Sequence, residues 1–392
     1  MTGTAPPWLI AAGDFVRTGG MDAANFALAS YLARAGRETH LVAHRVDADL
    51  AALPGIQVHR VPRPFGSHLL GFPLLASSAE RVARSVGRVP FGVYLRPPRR
   101  VTLANGGNFP GAATWLHYVH AAYQPEIAGR PLRRAVQAAA GWKMRRDERS
   151  VARHAEAVIA NSELTARHAV DLLGADPARV HVVYYGADAE RFHPPSAGER
   201  SGARRALGID GDAPVLAFVG ALGDRRKGFD TLFHAFHFLR QTEPAWNATL
   251  LVIGTGAELD DWKTRAEAAG LGARIRFLGF RGDVREVLRA VDGFVAPTRY
   301  EAYGLAVHEA LCMGIPPIVS RGAGVAERIP PALHPLLLEN PDDAAALAER
   351  MLAWAANLPS YRAAALDASV AIRAWGWDQM AARIVDIVEA TV

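Results

Sequence analysis

One pattern restricts what this chain can fold into more than any other, because it occurs twice. Trp8–Ala12 is a short apolar run, and Gly13–Gly20 is a loop ending in two adjacent glycines. From Met21, apolar residues recur at Ala24, Ala27, Leu28, Tyr31, Leu32 and Ala35, which is helical spacing. Gly36 is placed to stop that helix, and Thr39–Ala43 reads as the next strand. The same order returns with the strand Val215–Val219 and the loop Gly220–Gly228, which carries Arg225, Arg226 and Lys227. A helix then runs over Phe229–Leu239, with Leu232, Ala235, Phe236 and Leu239 on its stripe. Leu250–Ile253, a Gly254-Thr255-Gly256 turn, a helix through Trp262 and Ala266, a strand at Ile275–Leu278, a helix over Val284–Ala290 and a strand at Gly293–Ala296 continue the alternation.

Strands alternating with helices at this spacing predict parallel sheets in an α/β fold, and two openings predict two Rossmann-like domains. The 392 residues are enough for both. Pro194, Pro195, Ser196, Gly198, Ser201 and Gly202 give Gly186–Arg204 the composition of a linker, with the next element beginning at Ala203–Leu207. The expected divisions are 1–190, 191–374 and a tail 375–392, in which Met380, Ile384 and Ile387 form an amphipathic stripe. Ligands of open parallel sheets bind beyond the carboxyl ends of the strands, so two such domains facing a cleft suit a two-substrate enzyme or a clamshell binder. Neither domain has the full G-x-G-x-x-G fingerprint, which weighs against a dinucleotide cofactor.

Composition excludes several alternatives. Half the residues are hydrophobic and 21% charged, a globular balance. Cys312 is the single cysteine, so no intrachain disulfide can form, which favours a reducing compartment. No basic region followed by a long apolar stretch marks a signal peptide, and apolar runs such as Leu69–Ala76 are far short of the ~20 residues that span a bilayer. A cytoplasmic protein is expected. The net charge of +5 is uneven: residues 1–190 carry 22 Lys and Arg against 15 Asp and Glu, while the remainder carries 22 against 24. Arg96–Arg100, Arg130–Arg134 and Lys143–Arg149 hold much of the excess. These clusters read as a solvated surface, as a site for an anionic acceptor, or as peripheral contact with an acidic membrane. No recognition motif or interleaved aromatic–basic array points to nucleic acid.

The strongest local signal is Arg299-Tyr300-Glu301-Ala302-Tyr303-Gly304-Leu305-Ala306-Val307-His308-Glu309-Ala310, after the strand Gly293–Ala296 and a Pro297-Thr298 turn. Glu301 falls in the loop, and Glu309 on a helix starting near Gly304 or Leu305. A helix N-terminus offers free N–H groups and a positive dipole end, which suits a diphosphate, and Gly304 permits close approach to the backbone. A carboxylate on that helix suits the two hydroxyls of a ribose, and one in the loop suits the hydroxyls of a sugar. The competing reading leaves both glutamates exposed to solvent.

With these motifs the chain resembles glycosyltransferase family 4, retaining enzymes of the GT-B fold. The resemblance covers nearly the whole chain and includes Gly19-Gly20, Val219-Gly220 through Lys227-Gly228, Gly254-Thr255-Gly256 and Glu301…Glu309. It also includes Tyr185-Gly186-Ala187-Asp188 with Phe192-His193-Pro194, similar to the family's crossing point between domains. It implies two Rossmann-like domains, with an N-terminal acceptor side, a C-terminal donor side, and a final helix crossing back to the N-terminal domain. Glu309 would bind the nucleotide ribose and Glu301 the donor sugar. Backbone N–H groups around Tyr303, Gly304 and Leu305 would hold sugar and diphosphate, with Gly19, Gly20, Gly220 and Gly254 lining the donor site. Lys227 and Arg226 would neutralise the leaving diphosphate, which lets clustered cations replace a metal. No cofactor and no metal site are expected.

In His117-Tyr118-Val119-His120 the resemblance implies a histidine touching the donor sugar. His120 is the expected one, with His117 the alternative and core packing the competing reading for either. Asp14 and Asp22 flank the first glycine loop without a partner in the sequence that marks either as an activated nucleophile. The implied reaction is therefore front-face transfer with retention. The chain departs from the family at Ala221, where members often carry arginine, and in Glu301-Ala302-Tyr303-Gly304, where a second glycine and a phenylalanine are usual. Arg225 or Arg226 is expected to reach the phosphates instead, unless it serves as a surface partner of Asp224 or Asp230. A sugar-nucleotide epimerase, a glycan phosphorylase and a nucleotide-sugar-binding homologue without turnover remain open on the same fold.

Overall fold

The computed structural model describes residues 7–86, 101–105, 112–125, 131–223 and 225–391. The chain divides into two compact units, Met1–Gly186 with Trp377–Val392, and Ala187–Gly376. The first unit holds β1 (Trp8–Ala11), β2 (Asp14–Phe15), β3 (Thr39–Ala43), β4 (Arg45–Val46), β5 (Ile56–Arg60), β6 (Val101–Asn105), β7 (Ala113–Leu116), β8 (Ala157–Ala160) and β9 (Val180–Val182). Seven of these form a parallel sheet in the order β5-β3-β1-β6-β7-β8-β9, while β2 pairs with β4. The second unit holds β10 (Val215–Val219), β11 (Thr249–Ile253), β12 (Ile275–Gly279), β13 (Gly293–Ala296), β14 (Pro317–Ser320) and β15 (Leu337–Leu338). They form a parallel sheet in the order β12-β11-β10-β13-β14-β15.

Strands covered on both faces carry unbroken apolar runs rather than alternation. Every residue of β1, β3, β7, β8 and β14 is buried, including Thr39, His40 and Thr114. In each sheet the strand order reverses beside the first strand of the unit, at β1 and at β10. Loops at the carboxyl ends of the strands diverge there and leave room for a ligand.

The final helix, Trp377–Thr391, belongs to the first unit. It packs on the helix Gly20–Arg34 through a stripe that includes Met380, Ile384, Ile387 and Val388. Glu389 accepts hydrogen bonds from Trp8 Nε1 (3.1 Å) and Arg37 Nη2 (2.8 Å), and Arg34 pairs with Asp378. The chain leaves this unit after Gly186 and returns at Trp377. Beside the two crossings, Ala187 N donates to Trp375 O at 2.8 Å.

The linker reading of Gly186–Arg204 is corrected by a helix at Ala197–Ala206, which contains Gly198 and Gly202. A capping box starts it: Ser196 Oγ accepts from Glu199 N, and Glu199 accepts from Ser196 N. Arg200 and Arg204 then anchor the helix to Asp292, at 2.6 and 3.4 Å. Asp292 also accepts from Val215 N at the start of β10 (3.0 Å) and pairs with Arg362. The cap and a half-buried ion network outweigh the low helix propensity of two glycines.

Candidate functional site

In the second unit, the loops following β10 and β13 meet at the reversal of strand order. Arg226 O accepts from Arg299 N (2.8 Å) and from Thr298 Oγ1 (2.9 Å). Gly228 sits at φ 71°, where an added Cβ would lie 1.8 Å from Pro297 O, so only glycine lets the loops approach this closely. This approach brings Lys227 Nζ into an ion pair with Glu301 Oε2, and Arg226 Nη1 lies 3.9 Å from the same oxygen. Arg226 also donates to Tyr300 O at 3.3 Å. Arg225 turns instead to Asp230, at 2.9 Å, and Asp230 further binds Arg299. Asp224 lies outside the described residues. Two cations thus converge on Glu301, and the third cation of the loop serves the scaffold.

Helix Leu305–Cys312 begins where the sequence placed it. Gly304 occupies its N-cap at φ 114°, and no side chain caps the end. The first-turn N–H groups of Leu305 and Ala306 find no acceptor among the described residues, the arrangement that receives an anion. Ahead of the helix, Gly324 N donates to Glu301 O (3.0 Å) and Val325 N to Tyr303 O (2.7 Å), which fixes the Glu301–Gly304 loop. Tyr303 is buried and its hydroxyl bonds His308 Nδ1 at 2.9 Å. Burial pushes the His308 imidazole down to about 3, so this histidine is neutral and acts as a prop for the loop.

Glu309 lies farther along the same helix. Among the described residues no group hydrogen-bonds or ion-pairs with its carboxyl. Burial pushes the group up to about 7, with Arg191 opposing the rise and Asp188 adding to it. A half-buried carboxyl without a partner among the described residues is placed to accept hydrogen bonds from a ligand.

Two glycines expected to line a donor site have structural reasons to be glycine. A Cβ on Gly220 would meet the Phe218 ring at 3.0 Å and Lys227 Cγ at 3.1 Å. Gly254 has φ 145°, and a Cβ there would fall 1.9 Å from Gly220 O. Gly254→Ala is expected to cost about 3 kcal/mol or more in strain and overpacking. In a unit of this size that lowers the melting temperature by roughly 6–12 °C, measurable by calorimetry.

In the first unit, His117-Tyr118-Val119-His120 lies just past the carboxyl end of β7. His117 is buried against Trp115, its Nδ1 bonds the Tyr185 hydroxyl, and burial pushes the imidazole down to about 3. His120 is the accessible member of the pair, with its side chain 30% exposed. Glu148, wholly buried on the helix Pro131–His154, accepts from His120 N (3.0 Å) and meets His120 Nδ1 at 3.1 Å. Sequence reasoning missed Glu148 because it sits inside the basic run Lys143–Arg149. The available signal was its spacing from Val151, Ala152 and Ala155 on the buried face.

Gly19 caps the helix Gly20–Arg34 at φ 87°. Beside this loop, Asp14 has partners that the sequence did not reveal: its Oδ2 accepts from Arg45 Nε (2.9 Å) and Nη2 (2.6 Å) and from Arg63 Nη1 (3.5 Å). Asp14 Oδ1 is buried without a partner. Burial and the neighbouring Asp14 push Asp22 up to about 6, with Arg45 and Arg63 opposing.

A family model described as Glycosyltransferase Family 4 matches residues 18–191, and one described as Glycosyl transferases group 1 matches 213–357. A D-inositol 3-phosphate glycosyltransferase from Actinosynnema mirum is 35% identical over 187 residues, 45% of this chain and 44% of that protein. The lipopolysaccharide core biosynthesis mannosyltransferase LpsB of Rhizobium meliloti is 34% identical over 182 residues, 45% of this chain and 48% of its own length. The chain spans about half the length of the curated relatives it matches. Among solved structures, WaaG, a glycosyltransferase involved in lipopolysaccharide biosynthesis, superposes with a TM-score of 0.76 at 17% identity, covering 97% of this chain and 99% of its own. Anabaena Alr3699/HepE in complex with UDP-glucose superposes at 0.71 with 18% identity, covering 98% and 99%. At such identities the structures share the fold, two parallel-sheet units of the GT-B type.

Proposed function

From the premise that this chain belongs to glycosyltransferase family 4, we propose that it moves a sugar from a nucleoside-diphosphate sugar to a hydroxyl of an acceptor, with retention at the anomeric carbon. The observation that carries this reading is the meeting of Arg226, Lys227 and Glu301 at the switch point of the second unit. The uncapped helix that bears Glu309 follows directly from that loop.

Glu301 pairs with Lys227. Donor binding brings a diphosphate to the two cations and the first-turn N–H groups, and frees Glu301 to accept hydrogen bonds from the sugar. Glu309 accepts from both ribose hydroxyls. In the reaction, the bond between the anomeric carbon and the diphosphate oxygen breaks on the face where the acceptor oxygen attacks. The acceptor proton passes to the departing phosphate oxygen. Negative charge grows on the diphosphate as the bond breaks, and fixed cations stabilise that growth more than the ground state. The donor is held by the second unit, and the acceptor and His120 belong to the first. No nucleic acid enters the reading, and neither does a metal or organic cofactor.

Titration calorimetry with UDP, GDP, ADP and dTDP identifies the nucleotide, and proton NMR of the product formed from its sugar donors reads the anomeric configuration. Retention supports the proposal. Inversion, or a trapped covalent glycosyl-enzyme, contradicts the front-face mechanism. Donor conversion without acceptor, or a strict need for inorganic phosphate, points to the epimerase or phosphorylase reading. Nucleotide binding without turnover of any donor points to the homologue without activity.

Glu148 belongs to the same reading as the group that orients His120. Glu148→Gln keeps the shape and removes the charge that holds the imidazole. It is expected to lower kcat roughly 10- to 100-fold, as partners that orient a histidine do, and to leave nucleotide affinity in the second unit unchanged. A proportionate loss of both in the same assays contradicts this assignment.

A further inference from the structure

We propose that one face of the helix Pro131–His154 is a docking surface for an acidic lipid bilayer. Sequence charge alone suggested membrane contact without a location. Of the three basic clusters, Arg96–Arg100 lies outside the described residues, as do Arg130 and the side chains of 131–134. The third lies on this helix and carries the inference.

Arg145, Arg146, Arg149 and Arg153 lie three, four, seven and eleven residues after Trp142, so the five share a face. They line an open groove of about 390 Å³. At 1.5 Å per residue the stripe from Trp142 to Arg153 is about 17 Å long. Its opposite face is buried: Glu148 turns inward to His120, and Val151 and Ala152 enter the core of the unit. The exposed face contributes to the fold only through Arg149 and Arg153, whose Nε groups bond backbone carbonyls.

Its chemistry is one-sided. None of the four arginines pairs with a carboxylate among the described residues. Asp147 is paired with Lys143, off the stripe. Arg149 Nε and Arg153 Nε donate to Leu172 O and Leu173 O, both at 3.1 Å, which fixes the stems of these side chains. The Arg146 guanidinium lies over the Trp142 ring, 5.5 Å from its centroid, and 59% of Trp142 is exposed.

Arginines unmatched by acids attract phosphate-bearing surfaces in general. A large indole left in water on the same stripe favours the boundary between lipid headgroups and acyl chains, where an apolar body and a polar N–H are both accommodated. A nucleic-acid surface would need several aromatic rings interleaved with the cations to stack bases, and this stripe has one. The inference concerns the first unit alone and stands apart from the chemistry assigned to the second.

The test is co-sedimentation of the full chain with vesicles of phosphatidylcholine alone or mixed with phosphatidylglycerol, at low and raised ionic strength. Sedimentation with the acidic vesicles only, released by salt, is expected. An R145E/R149E double variant should partition at least tenfold less, and W142A should bind more weakly than wild type while keeping the salt dependence. Trp142 and Arg149 are exposed and Arg145 is half-buried, and an unchanged melting temperature shows that the variants fold. Equal binding to neutral vesicles, undiminished binding of the double variant, or retention by duplex DNA without retention by acidic vesicles each overturns the proposal.

Discussion

Glu309→Ala is expected to weaken binding of the cognate nucleoside diphosphate by about 100-fold, because hydrogen bonds to a charged acceptor contribute about 1.5–3 kcal/mol and two hydroxyls share this one. Calorimetric titration of both proteins reads the loss directly. Equal affinity would show that the carboxyl does not meet the ribose. A pH dependence follows from the same group. Burial pushes Glu309 up to about 7, so nucleotide affinity should fall as pH drops below 7, when the neutral acid offers a donor in place of one acceptor. Stability moves the other way. The folded protein holds this proton at pH values where an unfolded glutamate, with its ordinary value of 4.5, has released it. The contribution of the unliganded fold is therefore fully present below about 4.5 and is lost as pH rises through about 7. Glu309→Gln removes the burden of an unpaired, half-buried charge. At pH 8 the unliganded Gln variant should melt no lower than wild type, even though it binds nucleotide poorly.

Lys227→Ala is expected to lower kcat by roughly 10²- to 10³-fold, the range seen when one preorganised donor to a developing oxyanion is removed. The ammonium is held beside Glu301 by an ion pair. Removing it leaves Glu301 with Arg226 Nη1 at 3.9 Å, a weaker partner for the carboxylate and a weaker counter-charge for the diphosphate. Single-turnover kinetics separate this from a binding defect: the chemical step should slow far more than donor affinity falls. A variant that loses affinity alone would make Lys227 a ground-state anchor. Lys227→Arg keeps the charge but not the compact geometry and should recover only part of the rate.

Much of the architecture was legible because burial leaves a periodic record along the chain. The strands Thr39–Ala43, Val215–Val219 and Gly293–Ala296 have the bounds that their apolar runs imply. The start of helix Leu305–Cys312 followed from Gly304. Ala197–Ala206 was misread because glycines and prolines were weighed above a four-residue capping box, Ser196–Glu199. His117 and His120 look equivalent in sequence, and only the Tyr185 hydroxyl on one side and Glu148 on the other distinguish them.

The sequence by itself determined two parallel α/β units, the glycine loops at their first strands, and the strand–turn–helix setting of Glu301 and Glu309. These depend on neighbours a few residues apart, where the periods of helix and strand act. Tertiary structure alone decided which charges meet. Lys227 and Glu301 are 74 residues apart, and His120 and Glu148 are 28 apart. Asp14 finds its arginines 31 and 49 residues away. Such pairings follow from the order of strands within a sheet, which sets the loops that share an edge. A polar side chain at the end of a strand reads the same in sequence whether its partner is a guanidinium from a distant loop or water.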